Sequence, residues 1–259
     1  MLEKEDYFSE LTKELTEKRT QWKLEFIEVR SDRQMRADVP CKQHKVTFLL
    51  PLPSTPDDLW NSFKSKLRSQ IRRPQKEDMY IKHGGLEFLN DFYHVFSYNM
   101  RDLGTPVYSR KFFKHILEAF PENTQIVVVY TPQHKAVAAS FLIKFRNTVE
   151  IPWASSLSEY NKFSPNMLLY WESIKWAIAA GSEVFDFGRC SPDSGTFRFK
   201  KQWGGEEKPL YWYYILSPSQ ELPQLNPSNP KYELAIKIWR RLPISLTRII
   251  GPYIIKNIP

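Results

Sequence analysis

Residues 126–156 constrain this chain more than any other part of it. They hold three strand-like runs, IVVVYT (126–131), AVAASFLIKF (core 137–145) and TVEIPWASS (148–156), parted by a turn at TPQHK and another near Arg146–Asn147. Connections this short cannot carry the chain back to start a parallel strand, so the runs predict an antiparallel meander. FSPNMLLYWESIKWAIAAG follows with the punctuation of a helix: Ser164 at the cap, Pro165 at the first helical position and Gly181 past the end. Leu168, Trp171, Ile174 or Lys175, and Ile178 fall on its inner face. Straight after come a strand, SEVFDFG, a short helix, SGTFRFKKQWGG, stopped at Gly204, and a last strand, PLYWYYIL.

The segments before the meander fit the same scheme. Residues 1–22 space Tyr7, Leu11, Leu15 and Trp22 as a polar amphipathic helix. Residues 23–30 and 44–52 read as strands, the second stopped by Pro51 and Pro53. From a Ser54 or Thr55 cap and Pro56, the stripe Leu59, Phe63, Leu67, Ile71 predicts one helix ending at Pro74, with Lys64, Lys66, Arg68, Arg72 and Arg73 on its other face. DMYIKHGG predicts a short strand, 86–103 a helix, and Ser109 the cap of another. Residues 78–216 thus run β-α-α-β-β-β-α-β-α-β, an α/β (α+β) class with a mixed, largely antiparallel central sheet flanked by helices. Residues 217–230 are a Pro-rich linker, and the last segment is a basic amphipathic tail, with Leu234, Ile238 and Trp239 against Lys237, Arg240 and Arg241.

Composition narrows the function classes. No apolar run approaches the ~20 residues needed to span a bilayer. The N-terminal residues are charged throughout and lack the apolar core of a secretory signal, so the expected place is the cytoplasm. Cys41 and Cys190 are expected as free thiols, and the five histidines show no metal-ligand spacing, so no metal is expected. The net charge of +8 favours phosphate-bearing partners: nucleotide, RNA or anionic lipid. The basic tail suggests peripheral contact with an anionic membrane at its inner face, or a helix docked on the domain.

The ordered elements and several motifs resemble the GNAT-like acyltransferases of FemAB type, most of all the FemAB-like proteins associated with exosortase/PEP-CTERM exopolysaccharide loci. SKLRSQIRR (65–73) resembles the family's basic helix before a short strand, and NMRDLGTPVYSRKFF (99–113) its connection between two helices. SPNMLLYWESIKWAIAAGSEVFDFGR resembles the Pro-led helix, glycine stop and following strand, and GTFRFKKQWG the signature FK-x-x-(F/W)-G. YELAIKIWRRLP and GPYIIKNIP resemble the group's C-terminal tail. The resemblance implies a GNAT-like fold and transfer of an aminoacyl or acyl group to an amine of a peptidoglycan or exopolysaccharide precursor. It also implies a donor, aminoacyl-tRNA or acyl-CoA, used as co-substrate with no tightly bound cofactor. FemAB-type chains usually carry two GNAT-like domains. Residues 1–77 read as a shortened first domain, 78–216 as the transferase domain and 217–259 as linker and tail. The glycine-rich CoA loop of many GNAT proteins is not evident, since LSEYNKFSPN stands in its place. That favours tRNA over CoA and keeps two alternatives open: a CoA-dependent N-acyltransferase, and a non-catalytic assembly factor of an exopolysaccharide or exosortase system.

Attack of an amine on an ester needs a neutral amine, a stabilised oxyanion and a proton for the leaving group. By resemblance Lys200 is the signature lysine, touching the donor's terminal phosphate or ribose or stabilising charge at the reacting ester, and Phe199 is its aromatic neighbour. Asp186 lies on the strand face opposite Phe185 and Phe187, so it faces something polar, as base or amine-orienting group, or in a salt bridge with Arg189. Arg189 is a candidate phosphate ligand. Arg101 and Asp102, at the turn before Gly104–Thr105–Pro106, are acceptor contacts or a structural pair. Tyr108 hydrogen-bonds substrate or packs, and Trp153 lines the cleft or belongs to the core. Arg72 and Arg73 are candidates for tRNA or lipid-linked phosphate. Cys190 has no histidine near it in sequence to activate it as a nucleophile.

Overall fold

The computed structural model describes residues 4–35, 39–218, 220–223 and 230–256. The chain divides into two compact units, one of Met1–Phe48, Arg189–Lys201 and Gly205–Asn226, the other of Leu49–Gly188, Gln202–Gly204 and Pro227–Pro259. Half of the Pro-rich segment 217–230, Ser219 and 224–229, lies outside the described residues.

The second unit is built on the meander. Strands β3 (Tyr80–Gly84), β4 (Thr124–Tyr130), β5 (Ala136–Phe145) and β6 (Thr148–Ser156) pair antiparallel in that order, with Ile81 opposite Val129, Val127 opposite Ser140 and Phe141 opposite Trp153. β4 and the first seven residues of β5 are buried almost throughout, as their near-continuous apolar sequence requires. Helix α6 (Pro165–Ala179) then carries the chain to β7 (Val184–Asp186), which pairs parallel with β6 over Thr148–Glu150. A parallel neighbour demands such a crossover. α6 is buried on nearly every side, which explains why apolar residues surround it rather than form one stripe. The end of β2 (Cys41–Pro51) pairs β7 antiparallel, Leu49 opposite Asp186. One core forms where α4 (Leu89–Leu103) and α5 (Arg110–Ala119) cover the sheet, with Phe92, Phe96, Phe113 and Phe141 fully buried.

Two expectations change here. The predicted single helix over 54–74 is two, α2 (Pro56–Ser62) and α3 (Ser65–Arg72), because Phe63 and Lys64 are extended. The break leaves the whole stripe buried and sets the Phe63 ring edge-on to Trp171 at 5.6 Å and Trp203 at 5.7 Å. Ser164 stands at the N-cap position of α6, but in a left-handed conformation (φ 60°) and without a side-chain cap bond, so its hydroxyl does not do what the sequence promised. Thr55 and Ser109 cap as expected, accepting from Asp58 N and Phe112 N. α4 ends at Gly104 (φ 79°), where Gly104 N and Thr105 N donate to Arg101 O and Met100 O, a Schellman closure that needs a residue free to adopt positive φ.

The basic tail forms α8 (Pro230–Trp239) and α9 (Ile244–Ile255). α9 docks on this unit through a face of Thr247 and Gly251, both buried. A Cβ on Gly251 would stand 2.9 Å from Val107 N and 3.1 Å from Val107 O, so glycine is what lets the helix meet that backbone. Leu246, Ile249 and Tyr253 on α9 stay exposed.

In the first unit β1 (Phe26–Ser31) pairs antiparallel with β8 (Glu206–Leu216), Val29 opposite Tyr213, and α1 (Lys4–Gln21) lays Phe8 against Tyr213 at 5.0 Å. Val46 and Cys190 exchange backbone bonds of 3.0 and 2.8 Å. The short helix α7 (Gly195–Lys201) is opened by Ser194, whose hydroxyl accepts from Phe197 N, and is anchored by Phe197 against Phe48 at 5.1 Å.

Candidate functional site

The segment after β7 brings the strongest sequence candidates into the first unit. Lys200 is only 4% exposed, although its neighbour Lys201 is exposed. α7 turns Lys200 inward, and its Nζ donates to Arg189 O at 3.1 Å. A buried ammonium is costly to hold and requires partners that fix its position. Arg189 is exposed, its guanidinium 5.6 Å over the Trp212 ring. Phe199 is half-buried.

Lys45 completes a cationic group there, and sequence reasoning missed it. Its Nζ donates to Ser191 Oγ at 2.7 Å. Burial, and then the Arg189 charge, hold its pKa below the usual lysine value. The signal was faint: Lys45 is one of two lysines opening an apolar strand, and only its contact with Ser191 reveals where it points. Cys190 sits among these cations, yet burial pushes its thiol up, outweighing the lowering by Lys200 and Lys45. At neutral pH it is a thiol and no nucleophile. Among the described residues both cysteines are free, Cys41 exposed and Cys190 buried, and no group of side chains could hold a metal ion.

The remaining candidates belong to the second unit. Asp186 is half-buried at the end of β7, where Oδ1 accepts from Gly188 N at 2.8 Å, while Phe185 and Phe187 are buried on the other face. Alternation along this strand therefore reads as expected. Arg101 and Asp102 pair at 2.8 Å, with the guanidinium 5.1 Å over Tyr98. Tyr108 and Trp153 come together at 6.2 Å, edge to face, beside Phe112 and Phe113. Arg72 lies instead over Trp60 at 5.0 Å, and Arg73 is exposed at the end of α3.

A polar network at the β6–α6 junction is also absent from the sequence expectations. Asn99 Nδ2 donates to Ser155 Oγ and Asn166 Nδ2 to Ser156 Oγ, each at 3.1 Å. Ser156 Oγ donates to Asn161 Oδ1 at 3.1 Å, and Asn166 Oδ1 is buried with no partner among the described residues. Buried amide groups seldom stay unpaired. In the sequence these are ordinary loop-forming residues.

The profile of the acetyltransferase (GNAT) domain family matches residues 61–201, which include α7 and Lys200. Among solved structures the chain is similar to FemX, at a TM-score of 0.63 and 16% identity over 90% of this chain and 80% of FemX. It is similar to L-PGS from Bacillus licheniformis, at 0.53 and 16% over 82% of this chain and 67% of that one. It is also similar to the C-terminal domain of a putative lysylphosphatidylglycerol synthetase from Agrobacterium fabrum, at 0.52 and 13% over 69% of this chain and 62% of that one. At these identities the likeness is one of fold. No curated protein matches the chain.

Proposed function

Because the chain belongs to the family of GNAT acetyltransferase domains, we propose that it is a FemAB-type N-acyltransferase, moving an aminoacyl or acyl group onto an amine of a cell-envelope precursor, peptidoglycan or exopolysaccharide. The observation that carries this reading is the buried Lys200, gathered with Lys45 and Arg189 around residues 189–191. Such a cluster suits a donor that brings phosphate and a reaction that develops negative charge.

In the proposed reaction the acceptor's neutral amine attacks the carbonyl carbon of the donor ester. The N–C bond forms, and the carbonyl pair moves onto oxygen. On collapse the C–O bond to the donor breaks, and an amine proton passes to the departing oxygen. Lys200 stabilises the charge at the ester or holds the donor's terminal phosphate, Arg189 binds phosphate, and Phe199 supports that end of the donor. Asp186 orients the amine or takes its proton. Arg101, Asp102, Tyr108 and Trp153 serve the acceptor, and Arg72 and Arg73 the polyanionic part of the donor. The name lysylphosphatidylglycerol synthetase joins a lysyl group to a phospholipid, which agrees with an aminoacyl donor for this chain too.

A thioester donor is the second reading. The hydrogen-bonding side chains at the β6–α6 junction favour it, since Ser156, Asn161 and Asn166 supply polar groups where a glycine loop is missing. A cytoplasmic site with peripheral membrane contact fits the exposed apolar residues of α9 beside the exposed Arg240, Arg241 and Lys256. Among the described residues no helix is long and apolar enough to cross a membrane.

The test titrates charged tRNA, uncharged tRNA and acyl-CoA in parallel at fixed salt, with Lys200→Ala alongside. Preference for charged tRNA and loss of turnover in a folded Lys200→Ala support the proposal. Preference for CoA selects the second reading. Binding of neither donor leaves the assembly-factor alternative, and normal turnover in Lys200→Ala removes Lys200 from the reaction.

A further inference from the structure

A second group of cations lies in the second unit, among residues to which the transfer reading gives no role. A cavity of about 550 Å³ opens between the start of α4, the start of α5 and α9. Arg110, Lys111 and Arg248 line it, with Tyr93, His94 and Ser109 between them. Arg248 is held in place: its Nε donates to Ser97 Oγ at 2.9 Å, and its guanidinium lies 5.5 Å over Tyr93 and 6.0 Å over Tyr98. Ser97 is fully buried, so the anchor is rigid. Arg110 is steadied by Asn90 Oδ1 at 3.2 Å.

Among the described residues no carboxylate forms an ion pair with any of these cations. The neighbouring acid, Asp91, accepts the Tyr130 hydroxyl at 2.5 Å. Burial, then the charges of Arg248 and Lys135, hold the His94 pKa below its usual value against the raising effect of Asp91. His94 is therefore neutral at pH 7 and offers one ring N–H without adding to the repulsion. The like charges that remain repel one another unless an anion enters. Guanidinium forks match phosphate oxygens in pairs, and the volume exceeds what a single phosphate fills.

We propose that this cavity is a binding site for a phosphate-bearing ligand, a phosphate or diphosphate monoester whose charged end sits among Arg110, Lys111 and Arg248. The ligand comes either from solution or from a lipid surface. The apolar residues of α9 beside Arg248, Leu246 and Ile249, are exposed and suit the second source. The site does not depend on the role given to Lys200.

The experiment measures binding at low salt of inorganic pyrophosphate by calorimetry, and of phosphatidylcholine vesicles with and without phosphatidic acid by flotation. The full chain is compared with Arg248→Gln, with Arg110→Gln/Lys111→Gln and with Lys114→Gln as an exposed control on α5. The two cavity variants should weaken pyrophosphate binding by about tenfold or more. Lys114→Gln should bind as the wild type does. Arg110 and Lys111 are exposed, so that double variant keeps its fold even if Arg248→Gln loosens α9. Loss of binding to phosphatidic acid vesicles alone in the cavity variants supports the site with a lipid source. Equal binding by all variants, or none by the wild type to either probe, overturns the proposal.

Discussion

Replacing Gly251 tests whether α9 is docked as described. The ideal Cβ at this position meets Val107 N at 2.9 Å, Val107 Cγ2 at 3.0 Å and Val107 O at 3.1 Å. Two of those atoms are backbone, so relief requires moving either the helix or the 107 segment, whose side chain is itself fully buried. Overpacking of this kind costs ~1–3 kcal/mol. Alanine also gains ~0.8–1.0 kcal/mol of helix propensity over glycine, which leaves Gly251→Ala about 0–2 kcal/mol less stable. Valine gains less propensity and adds two methyl groups at the contact, so Gly251→Val should cost about 2–3 kcal/mol. For a chain of this size that is a fall of ~4–12 °C in Tm. Thermal melts followed by circular dichroism give the global effect, and hydrogen exchange over 244–256 gives the local one. If α9 were undocked, alanine would simply strengthen an exposed helix. A higher Tm for Gly251→Ala, together with an unchanged Gly251→Val, would therefore refute the docking.

Other consequences are equally open to measurement. Tyr130, whose hydroxyl bonds Asp91, and Tyr93, Tyr213, Tyr214 and Cys190 all have pKa values raised by burial first of all. The folded chain therefore keeps protons that the unfolded chain releases above the ordinary values of 9.0 for thiol and 10.0 for phenol. Stability from these groups is full below pH 9 and falls as pH rises through 10 and beyond; Lys45, with its lowered pKa, works the other way. Melts from pH 8 to 11 should show the decline, and a flat profile would contradict it. Iodoacetamide should label exposed Cys41 in the native chain and reach Cys190 only on unfolding, as read by peptide mass spectrometry; native labelling of Cys190 would deny its burial. Phe113→Ala, at the centre of rings from Phe92, Phe96, Phe141 and Trp153, should cost ~3–5 kcal/mol in urea unfolding. A loss under ~1 kcal/mol would mean the cluster is looser than its geometry implies.

What the sequence determined alone is local in origin. The meander followed from short apolar runs with short turns, and α6 from Pro165 and the glycine after it. The caps at Thr55 and Ser109 and the polar face of Asp186 followed from residues within a few positions of one another. These features depend on spacings that a one-dimensional reading sees directly. The break between α2 and α3 did not, because the stripe has helical spacing and only Trp171 and Trp203 explain why Phe63 leaves it. The left-handed Ser164 was likewise hidden behind a conventional cap sequence. For the candidate site, the signature around Lys200 was legible, but its burial was not: Lys200 and Lys201 are identical in sequence and opposite in environment. How the cations of each cluster come together was out of reach. Lys45 meets Ser191 and Arg248 meets Ser97 across 146 and 151 positions. Charges so far apart in the chain converge only when strand pairing and helix docking bring their backbones together, and that decision belongs to the tertiary structure.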